Sequence, residues 1–180
     1  MFEETLRVIL GLAEIEPIEV LPPGLDALFE RLREDDAAAV AWRIEDDIWQ
    51  MWTAHPDAAA DALMTKAIAA VAGKRWNEAQ TLLDGLVRAQ PLWPEAWNKR
   101  ATLAFLRGAD EASAQDIRRT LQLEPRHFGA LAGFAQICLR HGDADAALIA
   151  VEAALRIHPH LAQMRILADE LRRHYPPTLH

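Results

Sequence analysis

Hydrophobic side chains recur every three or four positions along most of this chain, and charged side chains occupy many of the positions between them. This spacing places the hydrophobic residues on one face of an α-helix, whereas a half-buried strand would alternate at every second position. The first such segment contains Phe2, Leu6, Ile9, Leu10 and Ala13, and the last contains Leu161, Met164, Leu167 and Leu171. The pattern therefore predicts an all-α protein with an amphipathic helix at each end.

Two residue types punctuate the helical pattern with the same period. Pro91, Pro125 and Pro159 stand 34 residues apart, and the same interval separates Gly108 from Gly142. A fixed period of this length is typical of stacked helical units, each too small to bury its own hydrophobic face alone.

One unit can be followed from residue 94 to residue 125. Proline at position 94 suits the first turn of a helix, and Gly108 can adopt the left-handed conformation that closes it. A second helix follows and ends before Pro125, because the residue preceding a proline avoids the helical region. Each unit is therefore predicted to be a helix hairpin.

These residues resemble the tetratricopeptide repeat family. The matching positions are Trp97 in a first helix, Gly108 and Gly142 in the turn, Ala79, Ala147 and Ala154 in second helices, and the three prolines. Small local departures are Ala67, Ala101 and Ala135 in place of the packing glycine, Lys74 in place of a turn glycine, and Ser113 in place of an alanine. The segments "WNKRAT" and "LEPRHFGAL" are similar to short bacterial members of the family.

The resemblance implies a right-handed α-solenoid of tetratricopeptide hairpins with a degenerate N-terminal hairpin and a C-terminal capping helix. We expect Asp35 or Asp36 to cap a helix of the degenerate hairpin. The expected division is an N-terminal helix and extended linker at 1–23, the degenerate hairpin at 24–59, repeats at 60–93, 94–127 and 128–161, and the capping helix and tail at 162–180.

Charge and composition exclude several classes of protein. The net charge is −8, and residues 1–60 hold 14 acidic but only 4 basic side chains, while residues 61–180 hold 13 acidic and 15 basic ones. No concentrated basic surface is available, so we expect no nucleic-acid partner. Charged residues also interrupt every long apolar stretch, so we expect no integral membrane segment.

The start of the chain bears on location. Glu3 and Glu4 stand where a secretion signal would carry positive charge. We therefore expect a cytoplasmic protein as the sequence is written, and a periplasmic one if the true start differs.

Candidate chemistry is sparse. Cys138, His141, His158 and His160 lie near one another in sequence, but the expected helices separate them, so we expect no metal or other cofactor. No nucleophile and base share a motif, and no glycine-rich phosphate loop is present, so we expect no enzyme. Trp42, Trp49 and Trp52 fall on one broad arc of a helix, which favours core packing over an aromatic recognition pocket.

The resemblance points instead to the inner groove lined by the first helices of the repeats. It maps that groove onto Met64, Ile68, Val71, Asn98, Thr102, Phe105, Gln136, Leu139 and Arg140. An apolar groove with a few polar groups suits an unidentified protein or peptide segment. Alternatively, the N-terminal helix or a terminal hairpin covers part of the groove, or the protein is a self-associating subunit, a homo-oligomer whose N-terminal helix fills a neighbour's groove.

One specific partner is not expected. Relatives that grip the C-terminal carboxylate of a chaperone use basic and amide side chains along this groove. The corresponding positions here are Met64, Ile68, Lys99, Gly129 and Gly133, of which only Lys99 is basic.

Overall fold

A computed structural model of the protein describes residues 2–34 and 38–174. The proposed helix caps, Asp35 and Asp36, lie outside these ranges. Within them the chain forms ten α-helices and no strand. The helices are α1 (Glu3–Leu10), α2 (Leu25–Leu32), α3 (Ala41–Thr53), α4 (Ala58–Ala72), α5 (Trp76–Ala89), α6 (Pro94–Leu106), α7 (Asp110–Leu123), α8 (Phe128–Arg140), α9 (Ala144–Ile157) and α10 (Ala162–His174).

Helices α4 to α9 form the solenoid. They pair as α4 with α5, α6 with α7 and α8 with α9, and each pair stacks on the next through α5 against α6 and α7 against α8. The first helices α4, α6 and α8 also contact one another in order, so they form one layer. Helix α10 packs on α9 at the far end. The predicted all-α solenoid with a capping helix is confirmed.

The turns inside the hairpins share one backbone conformation. Gly108 and Gly142 have φ angles of 75° and 74°, and Lys74 has 55° at the equivalent place between α4 and α5. Glycine reaches this left-handed region without the steric cost that a Cβ imposes. The departure at Lys74 is therefore accommodated by a non-glycine residue that takes the glycine's conformation.

The N-terminal helix α1 packs on its own chain, against α7 and α9. The hydroxyl of Thr5 donates a buried hydrogen bond of 2.9 Å to the backbone oxygen of Ala114. The Phe2 ring meets the Phe134 ring edge-on, with centroids 6.1 Å apart. These contacts fix the N-terminal segment on the second helices α7 and α9 and on the first helix α8.

Helices α2 and α3 pack together, and α3 lies across the amino-terminal ends of α6 and α8. There the indole N–H of Trp93 donates to the backbone oxygen of Trp52 at 2.8 Å, and the Trp52 ring stacks on His127 with centroids 4.0 Å apart. Arg126, in the loop before α8, pairs with Asp26 of α2. This hairpin is thus attached to the second and third stacked hairpins.

The expectation that all three tryptophans of α3 pack in the core is wrong for Trp42. Trp52 is buried and Trp49 is half-buried, but Trp42 is 64% exposed. The buried stripe of α3 consists of Ala41, Ile44, Ile48 and Trp52. Trp42 is one residue past Ala41, about 100° around the helix, which turns its side chain away from that stripe.

Candidate protein-binding face

The layer of first helices carries two rows of side chains repeated at the 34-residue period. The outer row is exposed and consists of Ile68, Thr102 and Gln136. The inner row is half-buried and consists of Val71, Phe105 and Leu139. Because α4 contacts α6 and α6 contacts α8, each row crosses three neighbouring helices. The result is a surface on which a half-buried apolar row runs beside an exposed row.

Arg140 joins the ends of two of these helices. Its guanidinium lies 3.7 Å from the centroid of the Phe105 ring and donates to the backbone oxygen of Phe105 at 3.2 Å. The same guanidinium pairs with Asp110 at 2.6 Å, and Asp110 also contacts His141 at 2.9 Å. Because Asp110 balances its charge, Arg140 contributes a planar side chain that holds Phe105 in place.

Two residues predicted to line the groove do not lie on an open surface. Met64 is 1% exposed and belongs to the buried cluster shared by α4, α5 and α6. Asn98 is 6% exposed, and its side-chain amide donates to the Oε2 atom of Glu95 at 2.8 Å. The prediction that these two residues line an accessible groove is therefore corrected: packing between helices covers the first, and the second is committed to a buried carboxylate.

That carboxylate is the centre of a buried polar cluster where α6 meets α8. Glu95 and His127 have no exposed surface, and the Nε2 atom of His127 lies 3.0 Å from Oε2 of Glu95. The ammonium of Lys99 lies 2.8 Å from Oε1 of the same carboxylate. Because the Nδ1 atom of His127 accepts from the backbone N–H of Ala130, the ring proton of the neutral imidazole lies on Nε2 and donates to Glu95.

The cluster keeps Glu95 ionised. Burial opposes the charged form, but the hydrogen bond from His127 and the positive charge of Lys99 outweigh it, so the pKa of Glu95 is lower than its ordinary value. The buried atoms offer no access to a substrate, and the cluster pins the amino-terminal end of α8 to α6. The sequence analysis did not predict this polar cluster. The only sequence signal for it is that His127 stands 34 residues after Trp93, at the equivalent position of the next repeat.

Helix α3 covers this cluster from outside. The Trp49 ring lies over Gly129 so closely that a Cβ at Gly129 would overlap it. The ammonium of Lys99 lies 5.4 Å from the centroid of the same ring. Lys99 and Gly129, two of the groove positions considered in the sequence analysis for a chaperone's carboxylate, are therefore engaged within this chain: Lys99 pairs with Glu95, and Gly129 lies under Trp49.

The cysteine and histidines of the last hairpin occupy separate environments. Cys138 is buried, and burial, with the nearby charge of Asp143, raises the pKa of its thiol to about 12. His158 pairs with Glu45 of α3 at 3.3 Å, and His141 pairs with Asp110. Across residues 2–34 and 38–174, no three metal-ligating side chains come together as a possible ion site.

Comparison with known proteins identifies the family of this helical protein. No family profile matches the chain. A protein of Rhizobium etli described as TPR repeat-containing is 36% identical over 151 residues, which is 82% of this chain and 74% of that protein. The stacked hairpins define a helical-repeat protein of the kind that mediates protein-protein interaction. The chain belongs to the tetratricopeptide repeat family.

The family assignment bears on activity, and the length and composition of the helices bear on membrane insertion. Proteins of the family are generally non-catalytic and interact with other proteins. None of the helices in the described ranges combines the length and the apolar character needed to cross a bilayer.

Proposed function

We propose that this protein is a non-catalytic scaffold that binds a segment of another protein on the face formed by α4, α6 and α8. The observation that carries the proposal is the exposed row Ile68, Thr102 and Gln136, which lies beside the half-buried row Val71, Phe105 and Leu139. Both rows recur at the period of the repeat, and the half-buried row also packs against the core of the hairpins.

The chemistry of the two rows suits an extended or helical peptide. The half-buried row offers aliphatic and aromatic surface for one or two apolar side chains of the partner. The hydroxyl of Thr102 and the amide of Gln136 can pair with backbone groups of the bound segment. The apolar contacts would supply most of the affinity, and the polar groups would set the position of the segment.

The competing proposal, a subunit whose N-terminal helix fills a neighbour's groove, has less support. Helix α1 is engaged within its own chain by the buried hydrogen bond from Thr5 and by the contacts of Phe2. Releasing it would leave the hydroxyl of Thr5 without that acceptor and expose the apolar side chains beneath the helix.

Two threonines give a matched test. Thr102 and Thr81 are both exposed, and each hydroxyl donates 3.0 Å to the backbone oxygen four residues earlier, in Asn98 and Asn77 respectively. Thr102 lies in the exposed row, whereas Thr81 lies on α5, outside the layer of first helices. Replacing either by glutamate therefore removes the same local bond.

The experiment compares proteins recovered from the native host with the wild type, Thr102→Glu and Thr81→Glu as bait. We expect Thr102→Glu to lose a partner that wild type and Thr81→Glu retain, with all three baits melting at similar temperatures. Recovery of the same partners by all three would contradict the proposed binding face.

A further inference from the structure

The N-terminal helix α1 lies between two second helices, α7 and α9, in a groove whose floor is the first helix α8. On this floor the Phe2 ring meets the rings of Phe134 and His141 edge-on, with centroids 6.1 Å and 5.2 Å apart. On the α7 wall, the carboxylate of Glu4 pairs with Arg118. These contacts show which positions of such a groove face a helix that lies in it.

An equivalent groove lies one repeat earlier, between α5 and α7 and over α6, and it has a volume of about 390 Å³. Its lining includes Gln80, Asp84, Arg100 and Arg107, which stand 34 residues before Ala114, Arg118, Phe134 and His141. All four of those later residues contact α1. The repeat therefore builds the same kind of helix-binding groove twice, and α1 fills one of the two.

The two grooves differ in charge at the positions that meet the helix. In the groove between α5 and α7, Arg100 and Arg107 replace the two rings on which Phe2 packs, and Asp84 replaces the arginine that pairs with Glu4. A helix lying there as α1 lies would bring its first position beside guanidinium groups and its third beside a carboxylate. An acidic residue at the first position and a basic one at the third would meet opposite charges.

One positive and one negative group of this groove remain available to a partner. Asp84 is 37% exposed and accepts from Gln80 and Arg100 on Oδ1 alone, and no hydrogen bond or ion pair within the described ranges falls on its Oδ2 atom. Arg100 is neutralised by this bond and by two further bonds to Asp116. Arg107 is exposed and donates at 3.3 Å to the amide oxygen of Gln80, but it pairs with no carboxylate in the part of the chain that the structure describes.

We propose that the groove between α5 and α7 is a docking site for a helix of another protein, which carries an acidic residue where α1 has Phe2 and a basic residue where α1 has Glu4. The acidic residue pairs with Arg107, and the basic residue pairs with the Oδ2 atom of Asp84. Trp97 lies one turn before Arg100 on the floor of the groove, and its half-buried ring offers apolar surface to the next turn of the bound helix.

This docking site is separate from the face carrying Thr102. Thr102 follows Arg100 by two residues, about 200° around α6, so the two surfaces lie on opposite sides of that helix. The second site therefore does not rest on the proposed function of the first. Helix α1 of a second copy is a poor occupant, because its Glu4 would face Asp84.

Two synthetic peptides test the charge pattern. One has the sequence of residues 2–13, and the other has the same sequence with Phe2→Glu and Glu4→Lys. A covalent link between positions 3 and 7, which are exposed in α1, holds both peptides helical. By fluorescence polarisation against the full chain, we expect the charge-reversed peptide to bind at least about tenfold more tightly than the unaltered one.

Variants of the full chain locate the binding. Arg107→Glu should weaken binding of the charge-reversed peptide at least about tenfold, and a peptide carrying Phe2→Lys and Glu4→Lys should restore it. Asp84→Asn should reduce the advantage of the lysine at position 4. The matched control is Arg156→Glu, the same charge change at an exposed position of α9, and we expect this variant to bind like the wild type.

Three results would overturn the proposal. The first is that neither peptide binds the wild type, or that both bind equally. The second is that the unaltered peptide binds more tightly, which would make α1 of a second copy the better occupant. The third is that Arg107→Glu and Arg156→Glu change binding to the same extent.

Discussion

Gly108 shows how a single backbone conformation sets the turn between α6 and α7. Its φ of 75° lies where a Cβ is costly, yet no atom lies within 4 Å of where that Cβ would be. We therefore expect Gly108→Ala to lower the free energy of unfolding by about 1 kcal/mol, through backbone strain alone. Urea denaturation measures this directly.

Gly85 supplies the opposite case for the same substitution. It lies within α5, and a Cβ there would likewise meet nothing within 4 Å. Because alanine is the better helix former, Gly85→Ala should raise the free energy of unfolding by roughly 0.5–1 kcal/mol. Changes of the same sign at both positions would contradict this account of the turn.

Glu95 makes the stability of the fold depend on pH at the acid end. Because its pKa is lowered in the folded state, the unfolded chain binds more protons than the native one as the pH falls below the ordinary value of 4.5. The stabilisation is therefore complete above pH 4.5 and is lost as the pH falls through the lower pKa of the native state. The pKa of Glu45, lowered chiefly by its hydrogen bond with His158, adds in the same direction.

The substitution Glu95→Gln tests this contribution. It should cost roughly 1–3 kcal/mol at neutral pH, because His127 and Lys99 lose a charged acceptor. It should also flatten the dependence of the free energy of unfolding on pH below 4.5. A variant as stable as the wild type at pH 7, with an unchanged acid slope, would show that the cluster does not hold α8 to α6.

At the scale of elements, close contact between one aromatic ring and one glycine helps to hold α3 on α8. Because a Cβ at Gly129 would overlap the ring of Trp49, Gly129→Ala should push α3 off α8 and cost about 1–3 kcal/mol. Gly133, one turn later on α8, is the control, since a Cβ there would meet only Ile117 at 3.5 Å. Gly133→Ala should be neutral or slightly stabilising.

Tryptophan fluorescence and thermal melting check this pair of variants. We expect Gly129→Ala to shift the emission of Trp49 and Trp52 toward that of exposed indole, with no such shift in Gly133→Ala. Equal melting temperatures and spectra in the two variants would mean that α3 is not seated on α8.

The sequence predicted the periodic part of these elements and could not predict the rest. The spacing of Pro91, Pro125 and Pro159 indicated stacked hairpins, because every hairpin repeats the same local rules of starting and ending a helix. The positions of α1 and α3 depend on particular contacts between residues far apart in sequence, such as Thr5 with Ala114. Such contacts do not recur at the repeat period, so the sequence pattern could predict neither the attachment of α3 nor the burial of Asn98.

At the scale of the whole molecule, the N-terminal helices cover part of the surface of the solenoid and leave another part exposed. Helix α1 packs against α7 and α9, and α3 packs across the amino-terminal ends of α6 and α8. The face of the first helices carrying Thr102 and Gln136 stays exposed. The molecule thus covers its own repeats on two sides and keeps open the face that we propose binds a partner.

Site-specific photocrosslinking in the native host tests that proposal most directly. A photoreactive amino acid is placed at position 102 in one chain and at position 81 in another, and the adducts are identified by mass spectrometry. The account predicts a protein adduct at position 102 that is absent at position 81. Adducts that are the same at both positions, or that form only at position 81, would contradict it.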